Sequence, residues 1–380
     1  MKEKEAISLQ ILAPVSAVSQ RTRLYKIVTH LHRKGWTNLS FCGWLRVQGE
    51  EEEKYLSFPL KKRYLIKGGG YGGRMTRLLY LVWVVRAFFA ALQFPRGSTV
   101  WALGWESAFP AVLASKIKNF DVIFDDADRF SLIFSLPGLL RKIIVALEKW
   151  TSRNSLVHLI PGGARYDFES EKFHELKNTP SAIEVQAAED IYKKREWPQA
   201  DLVVNVNGWL GSDRGIPIIC RVAKELQNEN IKFIVAGKPD CPEALDFISL
   251  ENVKYIGKVS NAEALASYFA SDYVFTYYNP KTRINRLAES NKWGDAIKIG
   301  VGVIVNSEVQ TADYLVAQEA GIFVPYDDVD ALVKGLRNMA KNKNRVSRHK
   351  ANIAKLSQRF DFFENQLDSL FEGIKNGKTQ

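Results

Sequence analysis

Three short stretches of this chain carry side chains that can do chemistry. In FDDADRF, Asp125, Asp126 and Asp128 close a run of apolar and aromatic residues. An aspartate just beyond a strand end can take a proton from a hydroxyl group. In NGWLGSDRG, Gly208, Gly211 and Gly215 permit a tight turn that aims backbone N–H groups at an anion, with Arg214 beside them. In SNKWGDA, Lys292 follows Ser290 and Asn291 at the start of a helical pattern, with Asp295 one turn on. The first turn of a helix carries partial positive charge and favours an acid, so a lysine there points to an anionic ligand, most commonly a phosphate. The alternative is a solvated lysine paired with Asp295. Tyr277, Tyr278, Arg283 and Arg286 precede this helix and are expected near the same sheet edge. The chemistry these residues allow is a phosphate held by loops and a carboxylate placed to take a proton.

The elements that position them alternate short apolar runs with longer amphipathic ones, the pattern of parallel sheets with crossover helices. In the first half the strand candidates are ISLQILAP, LSFCGWL, STVWALG, FDVIFDD and SLVHLIPGG, and helices are expected over TRLYKIVTHLHRKG, closed by Gly35, and over LPGLLRKIIVALEKWTSRN. A second series begins near Trp197 with LVVNVNG and continues through KFIVAG, NVKYIGK, YVFTYY, GVIVN and GIFVPY, with helices between. The polar stretch from Glu184 to Pro198 lacks periodicity and reads as a linker, and RHKANIAKLSQRFDFFENQLDSLFEGI reads as a long terminal helix. At 380 residues the chain exceeds the roughly 250–300 at which single cores stop growing. The expected organisation is an N-terminal Rossmann-like domain over residues 1–190, a second Rossmann-like domain over 191–350, and a C-terminal helix over 351–380 able to cross back to the first domain. Two such open sheets bind ligands in a cleft beyond the carboxyl ends of their strands.

Charge adds a second theme. The net charge is +11, and between Glu53 and Glu106 there is no acid, while Lys54, Lys61, Lys62, Arg63, Lys67, Arg74, Arg77, Arg86 and Arg96 all fall there. Interleaved with Tyr, Trp and Phe, this stretch suits an anionic membrane surface or a phosphate-bearing lipid, with Lys61, Lys62, Arg63, Arg74 and Arg77 as the acceptor- and membrane-facing candidates. The apolar segment Leu78 to Phe94 carries Arg86 at its centre, which favours a buried or interfacial helix over a span. Cys42, Cys220 and Cys241 are widely spaced and read as reduced thiols, and the charged N-terminus has no signal-peptide pattern. A cytoplasmic protein, peripheral at the inner face of the membrane, is the expectation.

The order of a strand, a glycine turn and a basic residue, then VAG, then NVKYIGKVS, then the segment NKWGDAIKIGVGVIV resembles the C-terminal nucleotide-sugar domain of GT-B glycosyltransferases, especially bacterial enzymes that build polysaccharides. The resemblance implies an α/β, GT-B fold of two Rossmann-like doubly wound domains facing each other across a cleft, and a nucleotide-sugar donor, taken as a UDP-sugar. It implies donor-site roles for Gly208, Arg214, Lys258, Tyr277, Ser290, Asn291, Lys292 and Asp295. Lys258 to Ser260 would line the base, and Asp295 would approach the ribose. A polyprenyl-diphosphate-linked or other glycan acceptor is implied, and no metal or other cofactor. Retaining members of family 4 carry two glutamates separated by seven residues; the second position is Asp295, but the first falls on Leu287, with Glu289 out of step. Tyr277 and the Ser-x-Lys spacing at Ser290 and Lys292 instead resemble the inverting, membrane-associated glucuronosyltransferase of xanthan assembly, whose base is an aspartate of the first domain. Asp128, in the loop proper, is the first candidate for that base and Asp126 the second.

Other classes remain in view. Asp126-Ala127-Asp128 is also the D-x-D metal signature of single-domain GT-A enzymes, which a second anion-binding domain argues against. A nucleotide-sugar epimerase of the same architecture would need no lipid-facing surface. A nucleic-acid-binding protein is supported by net charge alone, with no recognisable motif. His158, on an apolar strand, reads as a core residue, and the five histidines form no ligand pattern.

Overall fold

The computed structural model describes residues 8–53, 56–133 and 137–377. Lys54 and the N-terminal residues 1–7, part of the charged segments above, lie outside the described residues. The chain divides into two compact units, one taking the chain up to Leu176 and again from Glu364, the other Lys177–Phe363.

The first unit runs β1 (Ser8–Leu12), α1 (Thr22–Arg33), β2 (Asn38–Leu45), β3 (Lys61–Lys67), α2 (Gly73–Ala91), β4 (Thr99–Leu103), α3 (Trp105–Lys118), β5 (Asp121–Asp125), α4 (Phe130–Ile133), α5 (Gly138–Asn154), β6 (Val157–Ile160) and β7 (Phe173–Glu175). Its described strands form a seven-stranded sheet in the order β3-β2-β1-β4-β5-β6-β7, parallel throughout. Crossover helices cover both faces of such a sheet, so β4 and β5 are buried nearly end to end and read as continuous apolar runs. On one face α2, α3 and α5 pack side by side. Trp83, Ala87, Ala90 and Ala91 of α2 meet Ala108, Ala111 and Val112 of α3, and the Trp83 indole donates to Ser107 Oγ at 3.2 Å.

The second unit runs α6 (Ala182–Lys194), β8 (Leu202–Leu210), α7 (Ile216–Glu225), β9 (Ile231–Pro239), α8 (Pro242–Ile248), β10 (Val253–Tyr255), α9 (Asn261–Phe269), β11 (Tyr273–Thr276), α10 (Arg283–Arg286), α11 (Asn291–Ile299), β12 (Gly302–Asn306), α12 (Asp313–Ala317), β13 (Gly321–Val324), α13 (Val329–Lys341) and α14 (Lys343–Lys355). Its sheet order is β10-β9-β8-β11-β12-β13, again parallel. The C-terminal helical stretch continues after a short 3₁₀ turn as α15 (Phe363–Lys375), most of which belongs to the first unit. There Asp368 lies 2.8 Å from both His30 Nε2 and Lys34 Nζ, and the Phe371 ring packs on Trp36 and Trp101.

Two local expectations are corrected. The stretch from Glu184 to Pro198 is mostly helix, not linker: Ser181 and Glu184 form a reciprocal capping box at the start of α6, and Ala188 packs against Leu265 and Ala266 of α9. Residues 61–67, read only as basic, form edge strand β3. Lys62 is drawn to Glu53 at 3.2 Å and to the Glu51 carbonyl, which removes it from the exposed cations, while Lys61, Arg63, Arg74 and Arg77 stay exposed.

Candidate functional site

In the second unit the chemistry-bearing residues gather at the carboxyl ends of β8 and β11 and at the start of α11. Gly208 has φ +96°, and a Cβ there would stand 3.7 Å from Lys292 Cε, so this glycine and the lysine chain are neighbours. Gly215 has φ +73° and lets its turn press against Tyr277, whose Cβ would lie 2.5 Å from an added methyl carbon. The Arg214 guanidinium sits 4.5 Å over the Tyr278 ring, and the Tyr278 hydroxyl donates to Ser290 Oγ at 2.7 Å. Ser290 holds the N-cap position of α11, yet its hydroxyl, engaged by Tyr278, makes no cap hydrogen bond. The first turn of α11 therefore keeps N–H donors with no side-chain acceptor and carries a lysine where an acid would be favourable. Burial, reinforced by the facing Arg214 charge and opposed by Asp295, pushes the Lys292 ammonium down to about 7.

Gly208, Arg214, Ser290, Lys292 and Asp295 are thus brought together, with the exposed Asn291 opening the same helix. Lys258 is exposed beyond edge strand β10, and none of the contacts above involves it. The Tyr277 ring does not reach this cluster. It is 1% exposed in the core, stacked on Phe275 at 4.5 Å and beside Tyr326, and burial holds its hydroxyl far above the ordinary tyrosine range. The extended chain carries on past Thr276, so alternation sends Phe275 and Tyr277 inward and leaves Tyr278 to meet Arg214.

In the first unit the carboxylates beyond β5 have three different surroundings. Asp125 is fully buried, accepting from Arg23 Nε at 2.8 Å and Trp101 Nε1 at 3.0 Å. Asp126 is 1% exposed; its Oδ2 accepts from the Tyr166 hydroxyl at 2.7 Å and lies 3.5 Å from His158 Nε2, while Oδ1 has no hydrogen-bond partner. Asp128 is half-exposed, 3.5 Å from Arg165 Nη1. Arg165 in turn donates to the Ala127 carbonyl, and Arg129 is locked by Glu148, Asp167 and the Arg165 carbonyl. Asp125 and Asp126 are therefore committed to the fold, and Asp128 is the carboxylate of the motif free to meet a ligand. His158 is in the core, stacked 3.9 Å from Phe124, and burial lowers its pKa. Among the described residues no three His, Cys, Asp or Glu side chains converge as metal ligands.

One residue escaped the sequence reading. Glu106 opens α3 directly after β4, and burial together with the Asp126 charge pushes its carboxyl up to about 7, against the lowering by its own backbone N–H and by Arg21 and Arg46. A carboxyl that titrates near neutrality at a strand end is a candidate acid or base. The signal in the sequence was an acid immediately after the apolar run STVWALGW. Because the folded pKa lies above the ordinary 4.5, the stability this group contributes is fully present below about pH 4.5 and is lost as pH rises through 7. The melting temperature of Glu106→Gln, relative to wild type, is accordingly expected to rise between about pH 4.5 and pH 8. A difference that stays flat across that range would contradict the placement of Glu106.

The comparisons with known proteins bear on both units. The family model described as Glycosyl transferases group 1 matches residues 202–342. No curated protein matches the chain in sequence. Among solved structures, the chain is similar to HepE of Anabaena in complex with UDP, at TM-score 0.67 and 11% identity, covering 97% of this chain and 100% of that one. It is similar to a sucrose-phosphate synthase from Thermosynechococcus elongatus at TM-score 0.66 and 12% identity, covering 97% and 100%. A UDP-forming trehalose-phosphate synthase from Burkholderia vietnamiensis follows the same fold at TM-score 0.59 and 12% identity, covering 97% of each chain. The glycosyl transferases group 1 match thus spans the stretch that carries Gly208, Arg214 and Lys292, and the solved glycosyltransferase structures share the fold of this chain, two units each built on a parallel sheet.

Proposed function

We propose that the protein transfers a sugar from a UDP-sugar to a lipid-diphosphate-linked or other glycan acceptor in polysaccharide assembly, with inversion at the sugar carbon, at an anionic membrane surface on the cytoplasmic side. The observation that carries this reading is Lys292: a cation held near its neutral form by burial and by Arg214, at an uncapped helix start, is poised for a diphosphate. That HepE was solved with UDP supports uracil as the base. In the transfer, Asp128 takes the proton of an acceptor hydroxyl, whose oxygen bonds to the anomeric carbon as the bond from that carbon to the diphosphate oxygen breaks. Lys292, Arg214 and the first N–H groups of α11 hold the departing diphosphate charge, so no metal is required at this step. The exposed Lys61, Arg63, Arg74 and Arg77 face anionic headgroups.

Turnover tests the reading directly. UDP release from UDP-glucose or UDP-glucuronate in the presence of a polyprenyl-diphosphate glycan, undiminished by EDTA and giving a product of inverted anomeric configuration, is the expected result. Absence of UDP release from any UDP-sugar, with no UDP binding, would remove it; manganese-dependent activity would favour the D-x-D alternative.

Lys292 also predicts a proton effect. At about pH 8 it is largely neutral in the free protein, and a bound diphosphate raises its pKa, so UDP binding takes up a proton. Binding heats measured in two buffers of different ionisation enthalpy should then differ, and the difference should vanish in Lys292→Gln. Equal heats in both buffers for the wild type would count against a partly neutral Lys292.

A further inference from the structure

Helix α2 is apolar nearly all round but is packed on one side only. Its inward residues Trp83, Ala87, Ala90 and Ala91 are buried in the first unit's core. Its outward side carries Met75, Leu78, Leu81, Val82, Val85 and Phe89, each 39% to 67% exposed. At 3.6 residues per turn these six fall within one stripe about 120° wide. Exposed apolar side chains are ordinary when scattered; a contiguous face of them marks an interaction surface. The surface continues past α2, because α3 packs against both α2 and α5. Ile117 of α3 is 65% exposed, and Leu139, Leu140 and Ile143 of α5 are 45% to 75% exposed.

The charges around this face choose its occupant. Lys61, Arg63, Lys67, Arg74, Arg77 and Arg96 are exposed, and no acid occurs between Glu53 and Glu106 to pair with them. A second copy of the chain docking the same face in a two-fold pair would set cations against cations. An anionic lipid surface satisfies the rim and the apolar stripe together. No helix of the described residues is long and apolar enough to cross a membrane, and the buried face of α2 is already committed to α3.

We infer that α2 lies in the plane of an anionic bilayer with its Met75-to-Phe89 stripe inserted at the boundary of headgroups and acyl chains, flanked by the exposed apolar residues of α5. This rests on the reading that the enzyme works at a membrane, and it goes further: attachment is by insertion, with the cations as the rim. Apolar burial is not screened by salt, whereas attraction between exposed charges is, over about 8 Å at physiological ionic strength.

Sedimentation with vesicles of phosphatidylcholine, with and without phosphatidylglycerol, reads the outcome. The wild type should bind the vesicles containing phosphatidylglycerol and remain partly bound after a high-salt wash. The variant Leu78→Glu/Leu81→Glu/Phe89→Glu should partition at least about 100-fold more weakly. Its melting temperature and UDP affinity should stay at wild-type values, since the three side chains are exposed and lie outside the unit that carries Lys292. Arg74→Gln/Arg77→Gln should weaken binding while leaving the salt-resistant fraction. Complete release of the wild type by salt, with the triple glutamate variant binding equally well, would overturn insertion and leave a purely electrostatic membrane contact. No vesicle binding by the wild type at any salt would overturn the membrane reading as well. A wild-type dimer that the triple variant splits, without vesicle binding, would assign the face to a second copy.

Discussion

Asp128→Asn should lower turnover by on the order of 100-fold to 10,000-fold while UDP affinity stays near the wild-type value. The exchange keeps shape and removes basicity. Asp128 is half-exposed and lies 3.5 Å from the buried Arg165, which also donates to the Ala127 carbonyl, and asparagine keeps an acceptor oxygen in place, so the melting temperature should move little. Its neighbours behave differently. Asp126 accepts the Tyr166 hydroxyl inside the fold, and Asp126→Asn should destabilise the first unit as well as alter activity. Glu106→Gln is the decisive companion, because Glu106 is the carboxyl near Asp126 that titrates close to pH 7. If Asp128→Asn remains active and Glu106→Gln loses the same 100-fold or more, the base is Glu106; if both remain active, the inverting step has no base in this loop set.

Much of the architecture was legible because parallel sheets write themselves as short apolar runs. FDVIFDD, LVVNVNG and GVIVN are strands since both their faces are covered, and Gly35 closes α1 with φ +89°. What was not legible depended on partners distant in sequence. KKRYLIK pairs through its backbone with β2, so its lysines and arginine alternate along an edge strand, a fact that charge counting cannot reveal. The polar α6 is held by its capping box and by contact with α9, although Ser181-x-x-Glu184 was readable as a helix start. At the start of α11, the lysine stands out by its wrong sign for a helix start, and that local electrostatic argument needs no tertiary information. The direction of Tyr277, the capture of the Ser290 hydroxyl by Tyr278 and the desolvation of Glu106 each depend on side chains from other strands, which spacing alone does not place.

Lys292→Ala is expected to weaken UDP binding by roughly 1.5 to 3 kcal/mol, the span of a charge-assisted hydrogen bond, or about 10-fold to 150-fold in affinity. Folding should tolerate the change. The folded-state pKa of Lys292 is depressed to about 7, below its ordinary 10.5, so the stability it contributes is full only above 10.5 and is lost as pH falls through 7. At neutral pH its removal relieves a desolvated charge that faces Arg214. Arg214→Ala should weaken UDP binding too, and the double variant should lose less than the sum of the two, since both cations act on one diphosphate. The central claim is that the uncapped start of α11 holds a nucleoside diphosphate through Lys292. Calorimetric titration of UDP into the wild type and Lys292→Ala at neutral pH tests it most directly: the account predicts an affinity loss of about 10-fold or more with a melting temperature no lower than that of the wild type, and equal affinity in the two proteins would contradict it.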